Sequence, residues 1–425
     1  MADLQAPRGM SDLLPEDEAS WRFVRDTTER VAGLFGYSLI ATPIVEDARV
    51  FSRTSGDESD IVSKEMYVFE DRGGGELALR PEGTASVCRA YLEHGMASRP
   101  QPVRLYYFGP MFRYDRPQAG RYRQLWQLGA ECIGDPSPAA DAEVIELQHT
   151  IFRELGLDDL VLRINSIGTA GTRRAYVERL REHLRPHLDT LSHDSQRRFE
   201  TNPLRILDSK EDASLPAVRE APSILDHLSA EDAEHFATVR SLLEAAGVAY
   251  EVAPRIVRGL DYYARTVWEF EPPSEDGAEL GGQATVGAGG RYDGLIELLG
   301  GPPTPGTGFA TGIERTLLNM HERGVEAPST DAIDVATIPL GEDGPAAALR
   351  LAQALRAAGL AVRAGAPGRS LRAQLRGANA SGARYAAIVG DDEAARSVVQ
   401  LKPLLDDGDQ FEVAVGDAAA AVRAR

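Results

Sequence analysis

From Phe112 to Glu131 the chain reads FRYDRPQAGRYRQLWQLGAE. A polar loop holding Pro117 and Gly120 carries Arg113, Arg116, Arg121 and Arg123 between two strand-like apolar runs. Guanidinium groups offer planar, permanently charged forks of donors, so their crowding on one hairpin suits a highly charged small ligand such as a nucleotide. If Tyr122 to Glu131 is extended, side chains alternate between faces. Arg123, Gln127 and Glu131 then share one face, with Gly129 between the last two, while Trp126, Leu128 and Ala130 turn to a core. Such a polar row on a rigid sheet can hold a nucleotide beside a second polar substrate. The plain alternative is an amphipathic hairpin whose arginines are solvated and whose carboxylate pairs with one of them.

Further segments bear on that choice. In LRPEGTASVCRAY (79–91) a strand ends at Arg80-Pro81 and a helix begins after Gly83-Thr84. Thr84 is a plausible N-cap and Glu82 lies just before the positive end of the helix, where both could also accept from a substrate ammonium. RGLDYYARTVWEF (258–270) bends at Gly259 and presents Asp261, Tyr262 and Tyr263; if extended, the two tyrosines project oppositely and at most one faces a pocket. Alone, this segment reads as an edge strand. VGAGGRYDGL (286–295) has glycines at 287, 289, 290 and 294, which permit a sharp turn or close approach of backbone to a ligand. It is not GxGxxG, and the chain has no GxxxxGK[ST], so neither a dinucleotide fingerprint nor a P-loop is present. GTGFATGIERTLL (306–318) runs from a small-residue strand into a helix with Arg315 in its first turn, where a guanidinium could stack on a flat ring or simply pair with an acidic neighbour.

These groups need a scaffold. A chain of 425 residues exceeds one core, so two or three domains are expected. Periodicity predicts a helix over Glu16 to Phe35 with Trp21, Val24, Val31, Leu34 and Phe35 as its apolar stripe, then a strand in YSLIATPIVED interrupted by Pro43. Strand-like runs recur at Met66 to Glu70, Leu77 to Arg80, Val103 to Phe108, Ile256 to Phe270 and Thr307 to Phe309. Charged amphipathic helices at Arg173 to Leu188 and Ala230 to Ala246 suggest a helical insertion over about 170–245. The expectation is an α+β fold with an antiparallel core over 1–325, a linker near Glu326 to Asp331, and an α/β domain over 326–425 in which strands and helices alternate.

Composition narrows the partners. A net charge of −19 argues against nonspecific coating of nucleic acid, yet Pro345 to Gly390 holds seven arginines (350, 356, 363, 369, 372, 376 and 384) and no acidic residue. A nucleic acid bound at one defined place fits that asymmetry. Cys88 and Cys132 make no metal-ligand spacing and no disulfide framework, so no metal site is expected and both read as small buried hydrophobes. No apolar run approaches a membrane span and the first residues lack the apolar stretch of a signal peptide, so a cytoplasmic, membrane-free protein is expected.

Taken together, APRGMSDLLP, FRYDRPQAGRYRQ, RGLDYY, GAGGRYDGL and GTGFATGIERTL resemble the class II aminoacyl-tRNA synthetases, and within them the histidyl-tRNA synthetase family, over nearly the whole chain. NPLRILDSK (202–210) resembles that family's insertion region, and the C-terminal segment resembles its anticodon-binding domain. The resemblance implies a six-stranded antiparallel catalytic sheet, a homodimer, and two steps: L-histidine and ATP, with Mg²⁺, give histidyl-adenylate and pyrophosphate, then the histidyl group passes to tRNA(His). It implies that Arg113 holds the α-phosphate and the histidine carboxylate, Arg121 the terminal phosphates and Arg315 the adenine, with Arg258 the catalytic cation. Glu82, Thr84 and Gln127 would bind the α-amino group within a histidine site that also takes in Gly83, Arg113, Arg258 and Tyr262. Glu131 and Tyr263 would take the two imidazole nitrogens, one accepting and one donating, a pairing that rejects isosteres by leaving a buried partner unmatched. Gln118, in the hairpin loop, would touch the extra 5′ nucleotide of histidine tRNAs. Where the family reads FHQ this chain has Leu125-Trp126-Gln127, which implies altered packing behind the sheet. The competing reading is an inactive paralogue serving as regulatory subunit of ATP phosphoribosyltransferase, a kind that typically lacks RGLDYY and the anticodon-binding domain.

Overall fold

Alternating strand patterns in the first 330 residues close into one eight-stranded sheet in the computed structural model, which describes residues 4–55, 65–116, 120–207, 209, 211–256, 262–273, 284–328, 333–405 and 408–424. In chain order the strands are β1 (Ser38–Leu39), β2 (Val45–Asp47), β3 (Tyr67–Glu70), β4 (Glu76–Leu79), β5 (Val103–Phe112), β6 (Gln124–Ile133), β7 (Val161–Ser166), β8 (Glu251–Val252), β9 (Ala264–Glu271), β10 (Gly287–Arg291) and β11 (Gly306–Gly312). The main sheet has the order β1-β5-β6-β11-β10-β9-β7-β8. Its inner six strands pair antiparallel throughout, and the short edge strands β1 and β8 join parallel. Strands β2, β4 and β3 make a separate three-stranded sheet, so the run around Pro43 is two short strands in two sheets. The glycine-rich 287–291 segment is itself a central strand and not a turn.

Period-two alternation sorts β5 and β6 onto two layers. Tyr106, Phe108, Trp126, Leu128, Ala130 and Cys132 pack beneath the sheet with Val24 and Val31 of the helix Glu18–Leu34 and with Val144 and Ile151 of the helix Pro138–Glu154. Trp126 stacks edge-on against Trp21 at 5.3 Å, which accounts for the aromatic at that position. Leu105, Tyr107, Met111 and Ile133 face the opposite layer, with Val87 and Tyr91 of the helix Thr84–Glu93 and with Tyr176 and Leu180 of the helix Ala170–Leu184. Leu34 departs from the predicted stripe: it is 73% exposed, because the buried face of its helix runs through Val24, Thr27, Thr28 and Val31.

The two layers are tied by a buried ion network. Arg291, on β10, is fully buried and meets Asp141 at 2.8 Å, Asp293 at 3.0 Å, and the carbonyls of Asp135 and Ser137. His235 contacts the other oxygen of Asp141 at 2.8 Å. Burial works against the charge of Asp141, but Arg291 and His235 outweigh it and hold the carboxyl below its ordinary range.

Residues 328–425 form a second compact unit. Its strands β12 (Val335–Pro339), β13 (Val362–Arg363), β14 (Tyr385–Val389), β15 (Val398–Pro403) and β16 (Phe411–Ala414) take the order β13-β12-β14-β15-β16. The first three are parallel and separated by helices, while β15 and β16 add antiparallel at one edge, so the unit is mixed and not wholly βαβ. Arg350, Arg356, Arg363, Arg369, Arg372 and Arg376 are exposed, and Arg384 pairs with Asp334 at 3.2 Å. Among the described residues no helix is long and apolar enough to cross a membrane.

Truncating Asp141 to Ala leaves a buried guanidinium with its main counter-charge removed. The expected loss is about 3–5 kcal/mol of folding stability, read as a lower denaturant midpoint, whereas Arg22→Ala on the exposed face of the first helix changes stability by less than about 0.5 kcal/mol.

Candidate active site

The long β5–β6 hairpin brings Glu131 to the centre of the sheet. Its side chain is fully buried, with Thr84 Oγ1 donating to Oε1 at 2.7 Å and the Tyr292 hydroxyl donating to Oε2 at 2.6 Å. The facing residue on β11 is Gly308, where a Cβ would lie 1.8 Å from Glu131 Oε2, so glycine is the residue that lets this carboxylate lie flat on the sheet. Burial pushes the Glu131 carboxyl up to about 8, against the opposing effect of the Tyr292 and Thr84 hydrogen bonds.

Glu82 lies alongside. Its oxygens accept from the backbone N–H groups of Thr84 (2.6 Å) and Ala85 (2.8 Å), so Glu82 and not Thr84 caps this helix. Gly83 occupies the N-cap position, which frees the Thr84 hydroxyl for Glu131. Burial raises the Glu82 carboxyl despite those two N–H groups and the nearby Arg113. Gln127 is on the same face of β6 as Glu131. Its buried Oε1 has no hydrogen-bond partner among the described residues. Buried polar atoms are ordinarily paired, so such an atom on the face that carries the carboxylate marks a place that takes a polar ligand.

Tyr262 and Tyr263 precede β9 and are not extended. Both are buried, their rings 4.8 Å apart, so the expected opposite projection does not occur. The Tyr263 ring lies over Gly290, where a Cβ would come within 2.6 Å, and Tyr262 meets Tyr292 edge-on at 6.2 Å. The strand glycines thus admit neighbouring aromatic side chains.

A second cluster adjoins the first through Arg113, whose charge acts on Glu82. Arg113 donates through Nε to the Pro81 carbonyl at 2.8 Å, Arg121 pairs with Asp115 at 2.9 Å, and Arg315 donates to the carbonyls of Gly120 (3.2 Å) and Thr285 (2.5 Å). Arg315 is depressed by burial and then by Arg121 and Arg113, the electrostatic sign of three cations gathered in one place, with Glu269 and Asp115 acting in the opposite direction. Arg123 stands apart, its guanidinium 3.8 Å over the Tyr114 ring. Glu269, on β9, is the acidic group facing Arg315 and accepts from Thr285 Oγ1 at 2.8 Å. Arg258 and Gln118 lie outside the described residues.

Glu314 closes the end of the β6–β11 pairing. The β6–β11 ladder ends at the Gln127–Gly312 pair, and both Glu314 oxygens accept from the next N–H, that of Trp126, at 2.9 and 3.1 Å. Burial lifts this carboxyl to about 7. Glu314, Glu269, Tyr107 and Tyr292 were not singled out from the sequence. Alternation along β5 places Tyr107 on the face of the site, whereas Tyr292 and Glu314 lie beyond strand ends, where periodicity carries no signal.

Comparison with known proteins identifies the family. A family model described as Histidyl-tRNA synthetase matches residues 9–316, and one described as Anticodon binding domain matches 334–425. A histidine–tRNA ligase of Dehalococcoides mccartyi is 46% identical over 404 residues, covering 95% of this chain and 96% of that protein. One from Desulforamulus reducens is 45% identical over 419 residues, 99% of each. The crystal structure of apo histidyl-tRNA synthetase from S. aureus superposes with a TM-score of 0.82 at 35% identity, covering 99% of this chain and all of that one. The chain belongs to the histidyl-tRNA synthetase family.

The raised carboxyls set a pH dependence of folding. Glu131 and Glu314 hold protons in the folded state that they have lost in the unfolded chain between pH 4.5 and about 8 or about 7 respectively. Each therefore contributes stability that is fully present below pH 4.5 and is lost as pH rises through its folded value, by up to about 1.4 kcal/mol per pH unit. Glu131→Gln is expected to flatten the fall in denaturation midpoint across that window.

Proposed function

We propose that the chain is a histidine–tRNA ligase. It forms histidyl-adenylate and pyrophosphate from L-histidine and ATP, then passes the histidyl group to the 3′ end of tRNA(His). The observation that carries this reading is the buried Glu131, fixed by the hydroxyls of Thr84 and Tyr292, in a cluster that reaches the gathered arginines through Glu82 and Arg113.

In this reading Glu131 accepts from one imidazole nitrogen and the Tyr263 hydroxyl serves the other, so the site matches a ring with one donor and one acceptor. Thr84 donates to Glu131 through its hydrogen and keeps its lone pairs for the substrate ammonium, alongside Glu82 and the Gln127 Oε1. Gly83 lets the Tyr107 ring approach that turn, where a Cβ would fall 2.4 Å from it. Tyr262 supports the histidine side by packing on Tyr263. Arg113 bridges the carboxylate and the α-phosphate, Arg121 takes the terminal phosphates and Arg315 the adenine. Anchoring of Arg113 and Arg315 to backbone carbonyls, and of Arg121 to Asp115, keeps them oriented before substrate arrives, so little reorganisation accompanies the change of charge at phosphorus. Arg258 supplies the further cation at that phosphate and Gln118 a contact to the 5′ nucleotide of the tRNA. Mg²⁺ would come in on ATP and neutralise phosphate charge, with Glu269 as the carboxylate of that face.

The exposed arginines of the second unit are the surface for tRNA, and a cytoplasmic setting follows from that substrate. The regulatory-paralogue reading is not favoured, since the residues proposed for ATP are retained and the anticodon-binding match is present.

A homodimer accounts for the exposed Leu34, Leu39, Ile44 and Val45, which cluster in sequence around the edge strand β1. Sedimentation is expected to give a dimer, and Leu39→Asp a shift toward monomer.

The direct test is histidine-dependent exchange of pyrophosphate into ATP in the presence of Mg²⁺. Exchange with histidine and with no other amino acid is the expected outcome; none with histidine would favour the paralogue. Arg258→Ala should cut exchange by about 10²-fold or more while histidine binding persists. Removal of residues 328–425 should spare exchange and impair tRNA charging.

A further inference from the structure

The helical segment that follows β7 is hydrogen-bonded to the histidine pocket. Arg173, one turn into the helix Ala170–Leu184, donates through Nη1 to the backbone carbonyl of Tyr263 at 2.8 Å. Two residues on, the sheet is irregular: Gly290 pairs with Val267 but Arg291 pairs with Ala264, so Arg265 and Thr266 are extra residues on β9. Arg265 has a φ of +51°, a left-handed conformation that a side chain of this size adopts only when its surroundings impose it. A bulge of this kind turns the strand and re-aims the residues beside it, here Tyr262 and Tyr263.

What imposes it comes from the same helical segment. Asp232, fully buried near the start of the helix Ala230–Ala245, accepts through Oδ1 from Arg265 Nε at 3.1 Å. Its Oδ2 accepts from Thr169 N (3.1 Å), Thr169 Oγ1 (3.2 Å) and Thr172 Oγ1 (2.5 Å), at the start of the helix that carries Arg173. One carboxylate thus fastens the bulge to the root of the Arg173 helix. Arg265 is further tied by its backbone, N to the Gly168 carbonyl at 2.8 Å and O from Ile167 N at 2.8 Å, and Glu231 and His235 also contact its side chain. Arg173 and Asp232 therefore hold the Tyr263–Arg265 segment from both ends.

We propose that Arg173 and Asp232 are positioning residues for histidine recognition: the helical insertion, through Arg173 on the Tyr263 carbonyl and Asp232 on the Arg265 bulge, sets where the Tyr263 hydroxyl points. Neither residue touches substrate. The inference rests on the ligase reading, in which Tyr263 serves an imidazole nitrogen. Losing one such hydrogen bond loosens the tyrosine without opening the ATP side, so the effect falls on the amino acid alone.

The test is pyrophosphate exchange on the full chain, with KM for histidine and for ATP measured separately. Arg173→Ala is expected to raise the histidine KM about five- to tenfold while the ATP KM stays within about twofold. Arg173→Lys, which keeps a donor, recovers part of that loss. Asp232→Asn shows the same one-sided change, and Arg174→Ala on the exposed side of the helix is silent. A parallel rise in both KM values would mean general damage and would overturn the proposal, as would an unchanged histidine KM in Arg173→Ala. If Arg173→Ala does not fold, the same comparison in Arg173→Lys and Asp232→Asn decides. Wild-type protein without histidine-dependent exchange removes the ligase reading itself, whereas active wild type with an unaffected Arg173→Ala removes only the positioning role.

Discussion

A carboxylate taken entirely out of water must be surrounded by donors or give up its charge, and the catalytic half of this chain is arranged around that requirement at Glu131. Thr84 can reach it only because the helix start is capped by Glu82, leaving the threonine hydroxyl uncommitted. Tyr292 reaches it from beyond the end of β10, and Gly308 leaves the space in which it lies. Each supporting residue belongs to a different element, so the position of one side chain fixes the mutual register of β6, β10, β11 and a helix. Burial pushes the carboxyl toward neutrality while the Thr84 and Tyr292 hydroxyls favour its charge, a balance that suits a group that must accommodate a ring able to present either a donor or an acceptor.

The nucleotide side follows a different logic. Arg113 and Arg315 are steered by backbone carbonyls, and Arg121 by the carboxylate of Asp115. A carbonyl orients a guanidinium without cancelling its charge. Glu314 takes the N–H that the strand ladder leaves over at Trp126, which closes the end of the β6–β11 pairing ahead of the helix that carries Arg315.

Much of this was readable in the sequence because period-two alternation is a direct image of strand geometry. The row Gln127, Gly129, Glu131 and the opposing row Trp126, Leu128, Ala130 are where alternation puts them. The antiparallel core was legible for the same reason, apart from its two short parallel edges. What failed depended on geometry at strand ends. Thr84 looked like a cap because threonine often is one, yet the longer Glu82 side chain takes that place. Tyr262 and Tyr263 were sorted to opposite faces on the assumption of extended backbone, and the bulge at Arg265 invalidates it. Tyr292 and Glu314 act across gaps of 161 and 188 residues in the chain, which no local pattern encodes.

The second unit has a consequence for the approach of a partner. Its exposed arginines lie in a stretch, 345–390, without an acidic residue, in a chain whose net charge is −19. A polyanion such as tRNA is repelled by the chain's net charge and attracted locally by that stretch, so encounter is biased before any base is touched. The bias acts over roughly a Debye length, about 8–10 Å at ordinary ionic strength, and fades as salt rises. Surplus negative charge elsewhere in the chain thus sharpens the contrast with the stretch that carries the arginines.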